Sequence, residues 1–74
     1  MQNQSLTVVL PIHNAEATLR DSVDRVLDIA SDLTPEVELL IVDDGSTDDS
    51  FDIAQELASQ YPQVRVQRQA TRRG

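Results

Sequence analysis

Residues 37–48 read VELLIVDDGSTD, and the predicted fold is built around them. Six mostly apolar residues lead into two aspartates, a glycine and two hydroxyl residues. A short apolar run of this kind is typical of a strand that is buried on both faces in a parallel sheet. Gly45 allows the backbone to reverse as it leaves the sheet, and a hydroxyl residue after it is a good cap for a helix. Because ligands of open α/β sheets bind at the carboxyl ends of strands, Asp43 and Asp44 lie at the expected ligand-binding end.

Two more strands and two helices are predicted around this central strand. The predicted elements are a strand over Leu6–Ile12, a helix capped by Asn14 that runs to about Ser31, the strand Val37–Val42, a helix over Asp48–Gln60, and a half-exposed strand over Val64–Gln67. Apolar residues three and four positions apart give each helix one buried stripe. The stripes are Ala15, Leu19, Val23, Val26, Leu27 and Ala30 in the first helix, and Phe51, Ala54, Leu57, Ala58 and Tyr61 in the second.

The resulting order is β-α-β-α-β, which predicts an α/β, Rossmann-like half domain. Since crossover connections are right-handed, two crossovers in one direction give a parallel sheet of order 3-2-1 with both helices on one face. The opposite face is then uncovered and apolar, and the outer edge of the first strand is unpaired. Residues 1–74 are expected to form a single partial domain, with residues 68–74 as a disordered tail.

The composition excludes several classes of function. The chain has 13 acidic residues and six basic ones, all arginine, for a formal net charge of −7, and such a surface repels nucleic acid. It has no cysteine, so neither a disulfide framework nor a thiolate metal site is expected. No apolar run approaches the roughly 20 residues that span a bilayer, and the polar start is not a signal peptide, so a cytoplasmic setting is expected.

Two blocks of sequence together resemble the start of the inverting, family 2 glycosyltransferases of GT-A fold. The first block, VVLPIHNAE, occupies residues 8–16, and the second, LLIVDDGSTD, occupies residues 39–48. The resemblance includes the helix between the blocks and the short third strand, and it covers residues 7–74. The first strand and helix resemble the branch of the family that uses polyprenyl-phosphate acceptors.

This resemblance implies that the chain binds a UDP- or GDP-linked sugar. The residue that matches Asp44 accepts the N3–H of uracil, with Asp43 supporting the turn. A fixed carboxylate accepts from an imino N–H and repels the N3 lone pair of cytosine, which favours uracil or guanine. The backbone at Pro11 and the ring of His13 line the base pocket, where the family more often has tyrosine or phenylalanine. The candidate binding residues are therefore Pro11, His13, Asn14, Glu16, Asp43, Asp44 and Ser46.

Several of these residues also have a purely structural interpretation. Asn14 and Ser46 are suitable helix caps, and Glu16 complements the positive end of a helix. His13 is either a pocket wall or a surface residue. The acidic residues after the central strand, Asp48, Asp49 and Asp52, form a charged first helical turn. The last two arginines, Arg72 and Arg73, are either part of a frayed tail or contacts to a diphosphate.

In the family that this sequence resembles, the Asp-x-Asp metal motif and the catalytic base lie beyond position 74. We therefore expect no catalytic residue and no metal ligand in this chain. A full-length enzyme that transfers sugar is expected to use Mg²⁺ or Mn²⁺ and to work at the cytoplasmic membrane face, whereas the chain alone is expected to be inactive. One alternative is a small interaction module that self-associates through the uncovered sheet face. Another is a receiver-like, Mg²⁺-binding phosphoacceptor domain, which requires a later lysine that this chain lacks.

Overall fold

The computed structural model describes residues 5–69, which form three strands and two helices in the predicted order. The elements are β1 (Ser5–Ile12), α1 (Leu19–Leu33), β2 (Glu36–Asp43), α2 (Ser50–Gln60) and β3 (Val64–Arg68). Of the predicted tail, Arg68 is the last residue of β3, and the Gln69 amide donates to the Asp43 carbonyl at 2.9 Å. Residues 70–74 lie outside the described residues.

The sheet is parallel throughout and has the predicted order, with β2 between β1 and β3. Val8 pairs with Leu39, and Leu39 pairs in turn with Val64, so that the three strands share one register. At the carboxyl ends, Ile12 pairs with Asp43 and Asp43 with Arg68. The connections that leave β1 and β2 therefore start side by side.

The core lies between one face of the sheet and the two helices. Burial alternates along β1, since every second residue from Leu6 to Ile12 is shielded and those between are exposed. Leu39 and Ile41 of β2 are completely buried. The core is completed mainly by the predicted helical stripes, which contribute the buried residues Leu19, Val23, Ala30, Ala54 and Leu57. An ion pair between Arg20 and Glu56 joins the helices at the surface.

The other face of the sheet is apolar in only part of its area. Val9 is 57% exposed there, and Leu40 and Val42 are half-buried. Towards the amino ends of the strands the face carries the Glu38–Arg65 ion pair, with Arg65 Nε 3.0 Å from a Glu38 carboxylate oxygen. The expected apolar face is thus confirmed along the centre of β1 and β2, whereas the part of the face near the amino ends of the strands is polar.

The starts of both helices differ from the prediction. The residue before α1 is Thr18 rather than Asn14, because residues 15–18 first form a turn in which the Thr18 amide donates to the Ala15 carbonyl at 3.0 Å. The residue before α2 is Asp49, so Ser46 does not cap that helix. Neither helix has a side-chain cap hydrogen bond. The side chains that were expected to cap the helices, Asn14 and Ser46, instead take part in hydrogen bonds between the segment after β1 and the segment after β2.

Candidate functional site

Two loops meet at the carboxyl ends of the strands, and we call them loop 1 (residues 13–18) and loop 2 (residues 44–49). The Asp44 amide donates to the Ile12 carbonyl at 2.9 Å, which extends the pairing of β1 and β2 by one step. The His13 ring then bonds back, with its Nδ1 2.8 Å from the Asp44 carbonyl oxygen. Asp43 and Asp44 are therefore next to the end of the first strand, as the sequence predicts.

The bond to Asp44 fixes the orientation of the His13 ring. A carbonyl oxygen only accepts, so Nδ1 carries the hydrogen, and Nε2 of the neutral ring is left as an acceptor. The Asn14 side-chain nitrogen lies 3.5 Å from that Nε2. The ring is exposed, as is Pro11 at the end of β1, whereas Asp44 is half-buried. Pro11 and His13 form the exposed part of the site, and Asp44 lies beside them.

Asn14 and Ser46, by contrast, hold the two loops together. The Asn14 amide donates to Ser46 Oγ at 2.8 Å, and Asn14 Oδ1 accepts from the Thr47 amide at 2.8 Å. Asn14 has φ = 51°, a left-handed conformation that asparagine tolerates better than most residues. Both residues were candidate ligand contacts, and in this structure both are occupied by contacts between the loops.

Glu16 and Asp48 form a reciprocal pair of backbone contacts between the same loops. Glu16 Oε1 accepts from the Asp49 amide at 2.9 Å, while Asp48 Oδ2 accepts from the Glu16 amide at 3.2 Å. Ser50 adds a third contact, because its Oγ accepts from the Ala15 amide at 2.7 Å and donates to Asp48 Oδ1. The Ser50 hydroxyl is the main cause that lowers the pKa of Asp48 below its ordinary 3.8; burial opposes it, and the Ser50 and Glu16 amides reinforce it.

Asp43 lies beneath loop 2 and is completely buried. Its Oδ1 accepts from the Ser46 amide at 3.2 Å, across the turn in which Gly45 takes φ = 70°. Its Oδ2 is a buried oxygen with no hydrogen-bond partner among residues 5–69, and Arg68 Nε lies 3.6 Å from it. The guanidinium of Arg68 also lies over the ring of Phe51, 4.5 Å from its centroid.

Sequence reasoning missed Arg68, which it assigned to the tail, and it placed Phe51 in the buried stripe of α2. One signal would have found Arg68. Val64, Val66 and Arg68 alternate along β3, so that all three point to the face that the helices cover. Phe51 is half-buried and stacks on that arginine, outside the main core.

The part of the chain that the structure describes holds no group of three or more His, Asp or Glu side chains that could bind a metal ion. Three carboxylates at this end are engaged in other contacts: Asp43 with Ser46 and Arg68, and Glu16 and Asp48 with backbone amides. A depression of about 410 Å³ lies at the opposite end of the sheet, around Val37 and Pro62, and no candidate site residue lines it. Between residues 5 and 69, neither helix has the length and apolar character to cross a membrane.

Comparison with known proteins identifies the family of this chain. The model of the family described as glycosyl transferase family 2 matches residues 7–74. The undecaprenyl-phosphate 4-deoxy-4-formamido-L-arabinose transferase of Photorhabdus laumondii is 42% identical over 59 residues, which is 80% of this chain and 18% of that protein. The minor teichoic acid biosynthesis protein GgaA of Bacillus subtilis is 36% identical over 56 residues, or 76% of this chain and 13% of GgaA. The uncharacterized glycosyltransferase YibD of Escherichia coli is 35% identical over 65 residues, or 88% of this chain and 18% of YibD.

The chain belongs to glycosyl transferase family 2. It spans less than a fifth of the length of each of these three relatives. The family match begins near the start of β1 and includes both loops of the candidate site.

Proposed function

We propose that this chain is the base-binding portion of the donor site of an inverting glycosyltransferase that uses a UDP- or GDP-linked sugar. The observation that carries the proposal is the pairing of loops 1 and 2, which brings Pro11, His13 and Asp44 to one end of the sheet. The His13–Asp44 contact at 2.8 Å and the Asp44–Ile12 contact at 2.9 Å hold this arrangement. An exposed ring beside a half-buried carboxylate suits a planar base that carries an imino N–H.

Loops 1 and 2 offer little to a diphosphate, because side chains of the opposite loop and of Ser50 already occupy many of their amides. The Asn14, Ala15 and Glu16 amides donate to Ser46, Ser50 and Asp48, respectively. A diphosphate needs cationic neutralisation, which Mg²⁺ or Mn²⁺ supplies in many such sites. We therefore assign only the base to these loops, and we assign the metal and the transfer chemistry to the longer enzyme, so that the 74-residue chain alone does not transfer sugar.

The acceptor of that longer enzyme is proposed to be a polyprenyl phosphate. The support is the Photorhabdus relative, an undecaprenyl-phosphate 4-deoxy-4-formamido-L-arabinose transferase that is 42% identical in the matched region. Such an acceptor is anchored in a membrane, so the donor site of the longer enzyme would work at the cytoplasmic membrane face.

Uridine and guanine nucleotides are expected to perturb the site, and cytidine nucleotides are not. UDP, GDP and CDP, each with Mg²⁺, are titrated into the millimolar range while backbone amides are followed by NMR. We expect shifts in residues 11–14 and 43–46. Asp44→Asn is expected to weaken binding about tenfold, because it replaces the charged acceptor of the base N–H by a neutral one.

Asp52→Asn is the matched control, since it removes the same charge from an exposed position in the first turn of α2. Equal changes in affinity for the two substitutions would show that net charge, and not the Asp44 contact, governs binding. Equal responses to UDP and CDP, or no response of the unmodified chain, would contradict the proposed function.

A second candidate, self-association of this chain, is favoured by the surface around β1. The described large hydrophobic residues that remain exposed all lie on or beside this strand: Val9 at 57%, Ile29 at 65% and Leu33 at 73%. Ile29 and Leu33 line a shallow depression against Leu6 and Val8. β1 has eight residues and no charge, and within residues 5–69 it pairs only with β2. The other edge strand, β3, has five residues and carries two arginines, which disfavour edge pairing.

Leu33→Glu is expected to raise the dissociation constant of such a dimer at least about tenfold, since burial of one leucine side chain stabilises by roughly 2 kcal/mol. Sedimentation equilibrium over a concentration series measures this change. Gln55→Glu adds the same charge at an exposed position in the middle of α2 and is expected to leave association unchanged. A wild-type chain that sediments as a monomer at every concentration would contradict this candidate.

A further inference from the structure

Arg68 makes specific contacts in addition to its contribution to the net charge. It is the last residue of β3 and points to the helix-covered side of the sheet, where its side chain remains 46% exposed. There it contacts three groups around loop 2. Its Nε lies 3.6 Å from the buried Asp43 Oδ2, its guanidinium lies over Phe51, and one terminal nitrogen lies 3.5 Å from the Ser46 carbonyl oxygen.

We propose that Arg68 is a positioning residue for the base-binding turn, residues 43–46. It fixes that turn from both ends, through the carboxylate of Asp43 and the carbonyl of Ser46, and so sets the direction in which Asp44 faces a ligand. This inference deepens the proposed function and rests on it for the identity of the ligand. The contact of Arg68 with the turn can be tested without a ligand.

The geometry distinguishes positioning from general stabilisation. Asp43 Oδ1 already accepts from the Ser46 amide, so this carboxylate is the link between Arg68 and the turn. Phe51 supports the guanidinium plane on one side, which limits the directions that its donors can take. A planar, stacked guanidinium has fewer orientations than an ammonium group on a flexible stem, so lysine is an incomplete substitute.

The test uses hydrogen exchange of the Ser46 amide in the 74-residue chain without ligand. Arg68→Met keeps a long side chain over Phe51 and removes the charge and the donors. We expect exchange of the Ser46 amide to become about tenfold faster, the size of one net hydrogen bond to a charged group, while amides in the middle of β2 keep their rates. The exchange rate of the Ser46 amide in Arg68→Lys is expected to lie between those of the wild type and Arg68→Met.

Arg65→Met is the matched control, because it removes an arginine from the same strand. Arg65 is exposed on the opposite face of the sheet, where it pairs with Glu38. We expect it to leave Ser46 exchange at the wild-type rate. In the UDP titration, Arg68→Met is expected to weaken binding about tenfold, which is again the size of one charge-assisted hydrogen bond. Arg68→Lys is expected to weaken binding less, and Arg65→Met is expected to have no measurable effect.

Wild-type exchange of Ser46 in Arg68→Met would overturn the proposal whatever the nucleotide does. Equal weakening of UDP binding by Arg65→Met and Arg68→Met would also overturn it, because lost charge would then be the cause. If Arg68→Met does not fold, Arg68→Lys decides by the same exchange measurement. If Ser46 exchange accelerates in Arg68→Met but the wild type does not respond to UDP, the hold of Arg68 on the turn stands and the proposed function fails.

Discussion

Asp43→Ala is expected to lower the free energy of unfolding by about 3 kcal/mol, the range found when one partner of a buried polar or charged contact is removed. The carboxylate is completely buried, accepts from the Ser46 amide and faces Arg68. Its removal leaves the amide without its acceptor and the guanidinium without its anion. Because Arg68 is partly exposed and solvent screens it, we place the loss at the low end of the range for buried ion pairs. Urea unfolding followed by circular dichroism measures the change.

Asp24→Ala provides the comparison for this substitution. Asp24 is exposed in the middle of α1, where removal of a carboxylate is expected to change stability by less than about 0.5 kcal/mol. Both variants lose one carboxylate, so the difference between their free energies of unfolding measures the effect of burying that carboxylate. A loss below about 1 kcal/mol for Asp43→Ala, the value of a single ordinary hydrogen bond, would show that the buried carboxylate does not hold the turn.

Asn14→Ala is expected to cost about 2 kcal/mol, from two contributions of similar size. Alanine in the left-handed region is less favourable than asparagine by roughly 1 kcal/mol, and loss of the acceptor of the Thr47 amide costs about the same. Asn14→Gly separates the contributions, because glycine accepts φ = 51° and lacks only the acceptor. We expect glycine to cost about 1 kcal/mol, the hydrogen-bond contribution alone.

Thermal and urea unfolding of the three chains measure these differences. Equal losses in Asn14→Ala and Asn14→Gly would show that the backbone conformation contributes nothing. Stability within experimental error of the wild type in both would contradict the role of Asn14 in joining the loops.

The architecture followed from local pattern because one strand is unambiguous. The apolar run of β2 ends in a carboxylate pair and a glycine, so its burial, its end and the turn after it are all visible in the residues. The right-handed crossover rule then fixes the strand order. The boundaries of the helices were less predictable, since Asn14 and Ser46 suit helix caps as well as they suit contacts between loops.

The internal arrangement of the site depended on information that local sequence does not contain. Glu16 and Asp48 each bind the backbone of the other's loop, and residues so far apart in the chain are brought together only by the register of β1 on β2. Arg68 was assigned to the tail, because local sequence does not show that β3 extends to it. The alternation of side chains along β3 places it against Asp43.

The mutual dependence of loops 1 and 2 has a consequence for protein engineering. Side chains of each loop bind the amides of the other, so grafting either loop alone onto another parallel sheet would leave polar groups without partners on both sides of the graft. Transplanted together, with Ser50 retained at the start of the following helix, the two loops bring their own hydrogen-bond partners. A host sheet would need two adjacent parallel strands in the register that places Ile12 opposite Asp43, and a third strand that places Arg68 beside Asp43.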